Sequence, residues 1–400
     1  MPKKTKTHLT HAGLFLLVFI TTTFAGAEWI GGKYVFIPET HFAWSDFVFA
    51  ISFSGPFLCI LTVHEFGHYF TARWHKVRVS LPYFMPLWFG FLPLVGLPPM
   101  PSLGTLGAFI RIKDRLTSRL QFFDIGIAGP LAGFVVALGV LYYGFTHLPP
   151  PEYIFDIHPE YYQYGLKYDQ YVYENDFIDP TYRTISMLEG RPLDNQRPIL
   201  SLGKNLIFQF FESHVASPEL VPNKYELIHY PWLFAGFLAL FFTALNLLPI
   251  GQLDGGHILY GLIGYNNHRM ASSLLFILLV FYAGLGTITP YDSLDELSWQ
   301  LPFYGVFLVL TFYSMFPTLK NRILLAVSIL AVQYLVAYFD PTIQGYQGWL
   351  VFAFVIGRFL GVYHPPAHYD QPLDTNRQIL GWIALAVFIG SFSPQPFIME

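Results

Sequence analysis

Nine apolar runs, each close to the length that crosses a bilayer, punctuate the 400-residue chain. They cover residues 11–27, 46–70, 122–147, 230–249, 257–289, 301–317, 323–339, 347–363 and 378–394. About 20 helical residues span the roughly 30 Å of hydrocarbon. In lipid each backbone N–H and C=O must find its partner inside the fold. The chain therefore reads as an all-α polytopic membrane protein with about nine transmembrane helices. Composition agrees. Only 12% of residues are charged and 54% are hydrophobic, against about 25% charged in a soluble domain. Intrinsic disorder is excluded. A net charge of −4 offers no basic footprint for nucleic acid. The single cysteine, Cys59, excludes a disulfide framework and a cysteine-rich zinc site.

Lysine and arginine placement orients the runs. Lys3, Lys4 and Lys6 put the N-terminus in the cytoplasm, and Arg73, Lys76, Arg78, Arg111, Lys113, Arg115, Arg119, Arg269, Lys320, Arg322 and Arg377 all fall on that side. Segment 148–229 then lies outside, as does the C-terminus after an odd number of crossings. The start of the chain has a second reading, since Ala25-Gly26-Ala27 after a lysine-flanked apolar stretch also resembles a signal-peptide cleavage site. An uncleaved first span is the preferred one. The absence of an Arg- and Ser-rich transit sequence favours a bacterial cytoplasmic membrane over an organelle.

Two stretches interrupt the pattern. Segment 148–229 is the sizeable extramembrane piece, with six Lys/Arg, twelve Asp/Glu and tyrosines at 153, 161, 162, 164, 168, 171, 173 and 182. It suits a small α+β module or a cap on the membrane. Segment 79–112 is apolar but carries Pro82, Pro86, Pro93, Pro98, Pro99, Pro101, Gly104 and Gly107. It is no clean span and should enter and leave the same face.

Chemistry is concentrated in His64-Glu65-Phe66-Gly67-His68 near the cytoplasmic end of the second run. Histidines at i and i+4 share one helical face, so both imidazoles reach one Zn²⁺ at about 2.0–2.1 Å. Glu65 beside them suits a general base. By chance such a motif appears in roughly one or two comparable chains per hundred. Its position inside an apolar span, where ionisable groups are costly and usually functional, sharpens the signal. The bland alternative is a buried polar cluster satisfied by neighbouring helices. Catalytic zinc usually has three protein ligands. The candidate third is Asp254, in the helix-breaking run Asn246-Leu247-Leu248-Pro249-Ile250-Gly251-Gln252-Leu253-Asp254-Gly255-Gly256-His257. The bland reading of Asp254 is a helix cap among glycine hinges. His257, three residues on, competes for the metal or serves as an interfacial hydrogen-bonding group. His364 and His368 also stand four apart, but Pro365 and Pro366 forbid a regular helix between them, so they read as loop residues.

The segments H-E-F-G-H and N-L-L-P-I-G-Q-L-D-G-G together resemble the site-2 protease family of intramembrane zinc metalloproteases. Ala128-Gly129-Pro130-Leu131-Ala132-Gly133 resembles the Gly-Pro element of that family's next core helix, and Gly104-Thr105-Leu106-Gly107-Ala108-Phe109-Ile110 its re-entrant β-loop. The arrangement over 104–133 is most similar to the cyanobacterial and plant-plastid branch and its bacterial relatives. The resemblance implies one Zn²⁺ held by His64, His68 and Asp254, with Glu65 as catalytic base. It implies a substrate-binding role for Asn246 and Pro249, and for Gly104 and Gly107 in a β-loop that pairs with substrate. Gly129 and Gly133 would allow close helix packing. The implied organisation is an N-terminal span and outer loop (1–45), a first catalytic half (46–147), an extracytoplasmic insert (148–229), a second catalytic half (230–290) and a four-helix membrane extension (291–400). Expected partners are membrane-anchored protein substrates and the lipid bilayer, with no nucleic acid. Two other classes use the same polar cluster: a metal or solute transporter, and a non-catalytic membrane scaffold. The internal repeats common in transporters are not evident here, and loss of Glu65 or a ligand, expected of a scaffold, has not occurred.

Overall fold

The computed structural model of the chain describes residues 3–173, 183, 186–187 and 199–399. It is mostly helical and divides into two units. The first holds residues 1–115, 128–245 and 389–400, the second residues 116–127 and 246–388. Each of the nine apolar runs falls on a helix. These are α1 (Lys3–Gly31), α2 (Trp44–Trp74), α3 (Arg119–Thr146) and, after two short helices of the insert, α4 (Ile154–Ile157) and α5 (Leu206–His214), the later helices α6 (Pro231–Leu247), α7 (Asp254–Ala283), α8 (Leu294–Thr311), α9 (Leu319–Phe339), α10 (Gly348–Val355) and α11 (Thr375–Ser391). Among the described residues, four helices are long and apolar enough to cross a membrane: Thr7–Gly31, Trp44–Trp74, Arg119–Thr146 and Leu319–Phe339. The others fall short for local reasons. α6 and α11 have 17 residues each, and α10 has eight before a single π-turn. α7 is broken at Gly264, whose φ is 76°. α8 opens on an acidic turn, with Ser293 and Glu296 forming a reciprocal capping box.

In the first unit, segment 79–112 forms an antiparallel hairpin of β1 (Tyr83–Leu87) and β2 (Gly104–Phe109). The register slips between Met85 and Pro86. A strand proline lacks its donor and is tolerated at such a bulge. α1 holds the hairpin through side-chain hydrogen bonds, among them His11 Nδ1 with the Pro82 carbonyl at 3.0 Å. Thr21 Oγ1 donates to the Gly104 carbonyl at 2.7 Å, Trp29 Nε1 to the Ser102 carbonyl at 2.8 Å, and Trp88 Nε1 to Glu28 Oε1 at 2.7 Å. At the hairpin's base the Arg78 guanidinium forks onto Asp114 at 2.6–3.1 Å. The core of the unit is aromatic, with Phe53 stacked on both Phe57 and Phe234.

The insert folds around its tyrosines. Tyr161 and Tyr168 stack at 5.0 Å over Ile154, Phe155 and Val172. Tyr164 and Tyr171 stack at 4.9 Å. Tyr182 lies outside the described residues. Strand β3 (Leu200–Leu202) pairs antiparallel with β4 (Phe397–Met399). The C-terminal strand thus returns to the insert.

In the second unit the chain turns sharply between α6 and α7. Gly251 has φ 60°, and its N–H donates to Ser272 Oγ at 2.9 Å. The Ser272 hydroxyl donates in turn to the Val362 carbonyl at 2.7 Å. The Leu247 carbonyl approaches Gly255, and the Gly251 carbonyl approaches Gly256, where any side chain would stand. These glycines are required by close backbone approach. The start of α3 is fixed here by Arg377, whose Nε and Nη2 meet the two Asp124 oxygens at 2.7 and 3.0 Å. Gln333 of α9 ties three helices: it accepts from the Tyr304 hydroxyl at 3.1 Å and donates to the Phe281 carbonyl at 2.9 Å.

Candidate active site

α2 carries His64, Glu65 and His68 on a continuous helix, and all three are buried. One helical turn brings the two imidazoles together edge to face, with ring centroids 4.8 Å apart and Nε2 atoms 3.1 Å apart. Two nitrogen ligands on a tetrahedral zinc at about 2.0–2.1 Å stand about 3.3 Å apart. The pair therefore already holds the spacing that a shared metal demands. α3 leaves the room. A Cβ on Gly129 would collide with His68 Nε2, and one on Gly133 would press His64 Cβ at 3.1 Å. Gly67, between the two histidines, lies against the Ala128 backbone. The small residues of both helices bring backbone to backbone, as in membrane helix pairs generally. The donor set, its spacing and this hollow fit a zinc ion.

Asn246 is half-buried near the end of α6, and Pro249 is buried in the turn behind it. Asp254 is the first residue of α7 in the second unit. The cap position belongs to Leu253, which makes no side-chain cap bond. The bland reading of Asp254 as the helix cap thus does not describe it. Gly104, with φ 77°, is pressed against the α1 backbone at Thr21 and Thr22. Gly107, with φ 103°, has open space where a side chain would be.

His257 has a partner that its sequence context did not reveal. His364 Nδ1 donates to the Pro365 carbonyl at 2.6 Å, so its Nε2 accepts from His257 Nδ1 at 2.8 Å. Burial pushes the His364 imidazole down to about 4, which keeps it neutral. Tyr260 stacks on it at 4.1 Å. His368 is exposed, so the i,i+4 spacing of His364 and His368 brings nothing together. Only a buried position distinguishes His364, and no period or motif announces it.

A His-Glu-x-x-His helix with both histidines on one face is the signature of a zinc metallopeptidase. The family model for Peptidase family M50 matches residues 52–285, and the chain belongs to that family, the site-2 proteases. Among curated proteins, "Probable zinc metalloprotease EGY2, chloroplastic" of Oryza sativa subsp. indica is 26% identical over 250 residues, 58% of this chain and 36% of that protein. "Probable zinc metalloprotease EGY1, chloroplastic" of Arabidopsis thaliana is 28% identical over 209 residues, 52% of this chain and 29% of that protein. The chain thus spans about a third of the length of these relatives. No solved structure matches it.

Proposed function

We propose that the chain is an intramembrane zinc metalloendopeptidase that hydrolyses peptide bonds within or beside transmembrane segments of membrane-anchored proteins. The observation that carries this reading is the buried His64–His68 pair, with its Nε2 atoms 3.1 Å apart and Glu65 next to it on α2. His64 and His68 hold the zinc, and Asp254 supplies the third ligand. A zinc ion bound there supplies a Lewis acid that lowers the pKa of water to about 7 and polarises a carbonyl. Glu65 takes the proton of the attacking water and returns it to the leaving amine. Asn246 donates to the developing oxyanion. Each strand of the β1–β2 hairpin has one edge outside the two-stranded ladder. An unwound substrate pairs with such an edge by β-augmentation, with Gly107 leaving room and Gly104 and Pro249 shaping the approach. The hairpin enters and leaves on the cytoplasmic side of the membrane, so the site draws water from the cytoplasmic face. The relatives named above are plant plastid proteins, so a bacterial cytoplasmic membrane gains no support from them, and the reading is confined to the membrane side.

The test is cleavage of a panel of transmembrane peptides by the purified protein in detergent, with products mapped by mass. The expected result is a cut within or next to the apolar segment, lost on chelation and restored by zinc. Cleavage indifferent to chelation, or confined to soluble flanks, would overturn the reading.

A further inference from the structure

The insert gathers a second set of ligating side chains. His158, Glu226 and His229 bring three donor atoms together, although 71 residues separate the two histidines. The two Nε2 atoms stand 3.3 Å apart. Glu226 Oε2 lies 3.3 Å from His229 Nε2 and 3.9 Å from His158 Nε2. Three ligands of a tetrahedral zinc stand about 3.3 Å from one another, so two of these separations already match and the third closes with a small side-chain rotation.

The outer partners decide which atoms face inward. His158 Nδ1 meets Glu160 Oε1 at 2.9 Å, and His229 Nδ1 meets the Ile30 carbonyl. Both partners accept, so in each neutral ring Nδ1 carries the hydrogen and Nε2 presents its lone pair. Glu226 is oriented in the same way: the Tyr173 hydroxyl donates to its Oε1, which leaves Oε2 turned to the histidines. A second hydrogen bond behind every ligand, to a carboxylate, a backbone carbonyl or a phenol, is the construction that orients metal ligands. Glu226 is 2% exposed, and a carboxylate buried that deeply is stable only when paired or coordinated. Two lone pairs and a carboxylate oxygen converging on one point repel one another unless a cation sits between them.

We propose that His158, Glu226 and His229 bind a second divalent cation of the zinc class, separate from the active site. Two imidazoles and one carboxylate suit zinc better than calcium or magnesium, which take oxygen ligands. The role is structural. The cation ties the first turns of the insert to its last, and through Ile30 anchors both to the end of α1. It closes a loop of about 70 residues, whose ordering cost grows only slowly with its length. The histidine side chains are 14% and 11% exposed, which gives the ion an entry path.

The test uses the full chain in detergent, loaded with zinc sulfate and passed over a chelating resin, with zinc per chain counted by elemental mass spectrometry. Two zinc ions per chain are expected in wild type. His64→Ala/His68→Ala should retain one, and Glu226→Gln/His229→Gln should retain the other together with peptide cleavage. X-ray absorption at the zinc edge of His64→Ala/His68→Ala should show nitrogen and oxygen donors at about 2.0–2.1 Å and no sulfur. One zinc in wild type, lost entirely in His64→Ala/His68→Ala, would overturn the proposal and leave the cluster a proton-sharing network. So would two zinc ions that survive Glu226→Gln/His229→Gln. The wild-type count needs no variant to fold, and it does not depend on whether any peptide is cut.

Discussion

His64 and His68 stand four residues apart on one helix, and a single turn of α2 makes them neighbours. His158 and His229 stand 71 residues apart and meet through the folding of the insert onto the end of α1. The first pair is preorganised by secondary structure, so its spacing survives almost any change that leaves the helix intact. The second depends on tertiary structure throughout, including Glu160, Tyr173 and a backbone carbonyl. The surroundings differ as well. On α2 the neighbours of the histidines include Gly129 and Gly133, whose missing side chains leave the space that the rings occupy. In the insert the ligands are flanked by tyrosines and hydrogen-bonded from behind, a setting suited to holding an ion still.

The largest effect should follow His68→Ala, which removes a ligand from the helix. Cleavage is expected to fall to background and zinc to fall by one ion per chain, with the insert's ion retained. If cleavage persisted, the division of labour between the two clusters would be wrong. Next comes Gly129→Ala, whose methyl would stand on His68 Nε2. We expect a loss of at least about 10- to 100-fold in zinc affinity at the first site, the scale of disturbed ligand orientation. Gly139→Ala on the same helix meets nothing within 4 Å and should be neutral or slightly stabilising, by up to about 1 kcal/mol in helix propensity. Equal effects from the two alanines, read by zinc titration, would break the argument from close packing. Tyr173→Phe sharpens the other side of the comparison. It should weaken the insert's ion by about 10- to 100-fold and leave cleavage unchanged.

The smallest effect belongs to neither cluster. The Arg78 fork, first through its side-chain hydrogen bonds, holds the Asp114 carboxyl below the usual carboxylate range. A depressed carboxyl contributes stability above its unfolded value and loses it as pH falls through the folded one. The pair is exposed, so the contribution is small and screened by salt. Asp114→Asn should lower the thermal midpoint slightly at neutral pH, and the difference from wild type should vanish in acid or high salt. A difference that persisted in acid would assign the effect to something other than the ion pair.

What the sequence made legible follows the same division. His64, Glu65 and His68 were readable because a helix converts a four-residue interval into a contact. The departure from helix over 79–112 was readable because Pro86, Gly104 and Gly107 cannot continue a span, whereas the β-hairpin there was implied only by the family resemblance; β1 and β2 form in that stretch. That each apolar run is helical was readable from apolar length, but nine crossings were not: among the described residues four helices are long and apolar enough to cross a membrane, and hydropathy, which says nothing of φ, could not locate the break at Gly264 or the brevity of α10. Pairing of β3 with β4 joins residues nearly 200 positions apart, and no local period encodes it. His158, Glu226, His229 and the His257–His364 bond were hidden for the same reason. Each residue alone looks like an ordinary loop or helix-end group, and its meaning arises only from contact across the chain.

The central claim is that α2 holds a catalytic zinc with Glu65 as its base. The most direct test compares wild type with Glu65→Gln, a change of one atom that keeps the helix and both histidines. Zinc per chain and cleavage of a transmembrane peptide are measured on the same preparations. The account predicts the same zinc content in both proteins and cleavage by wild type alone. Cleavage by Glu65→Gln at the wild-type rate, with zinc bound, would contradict it.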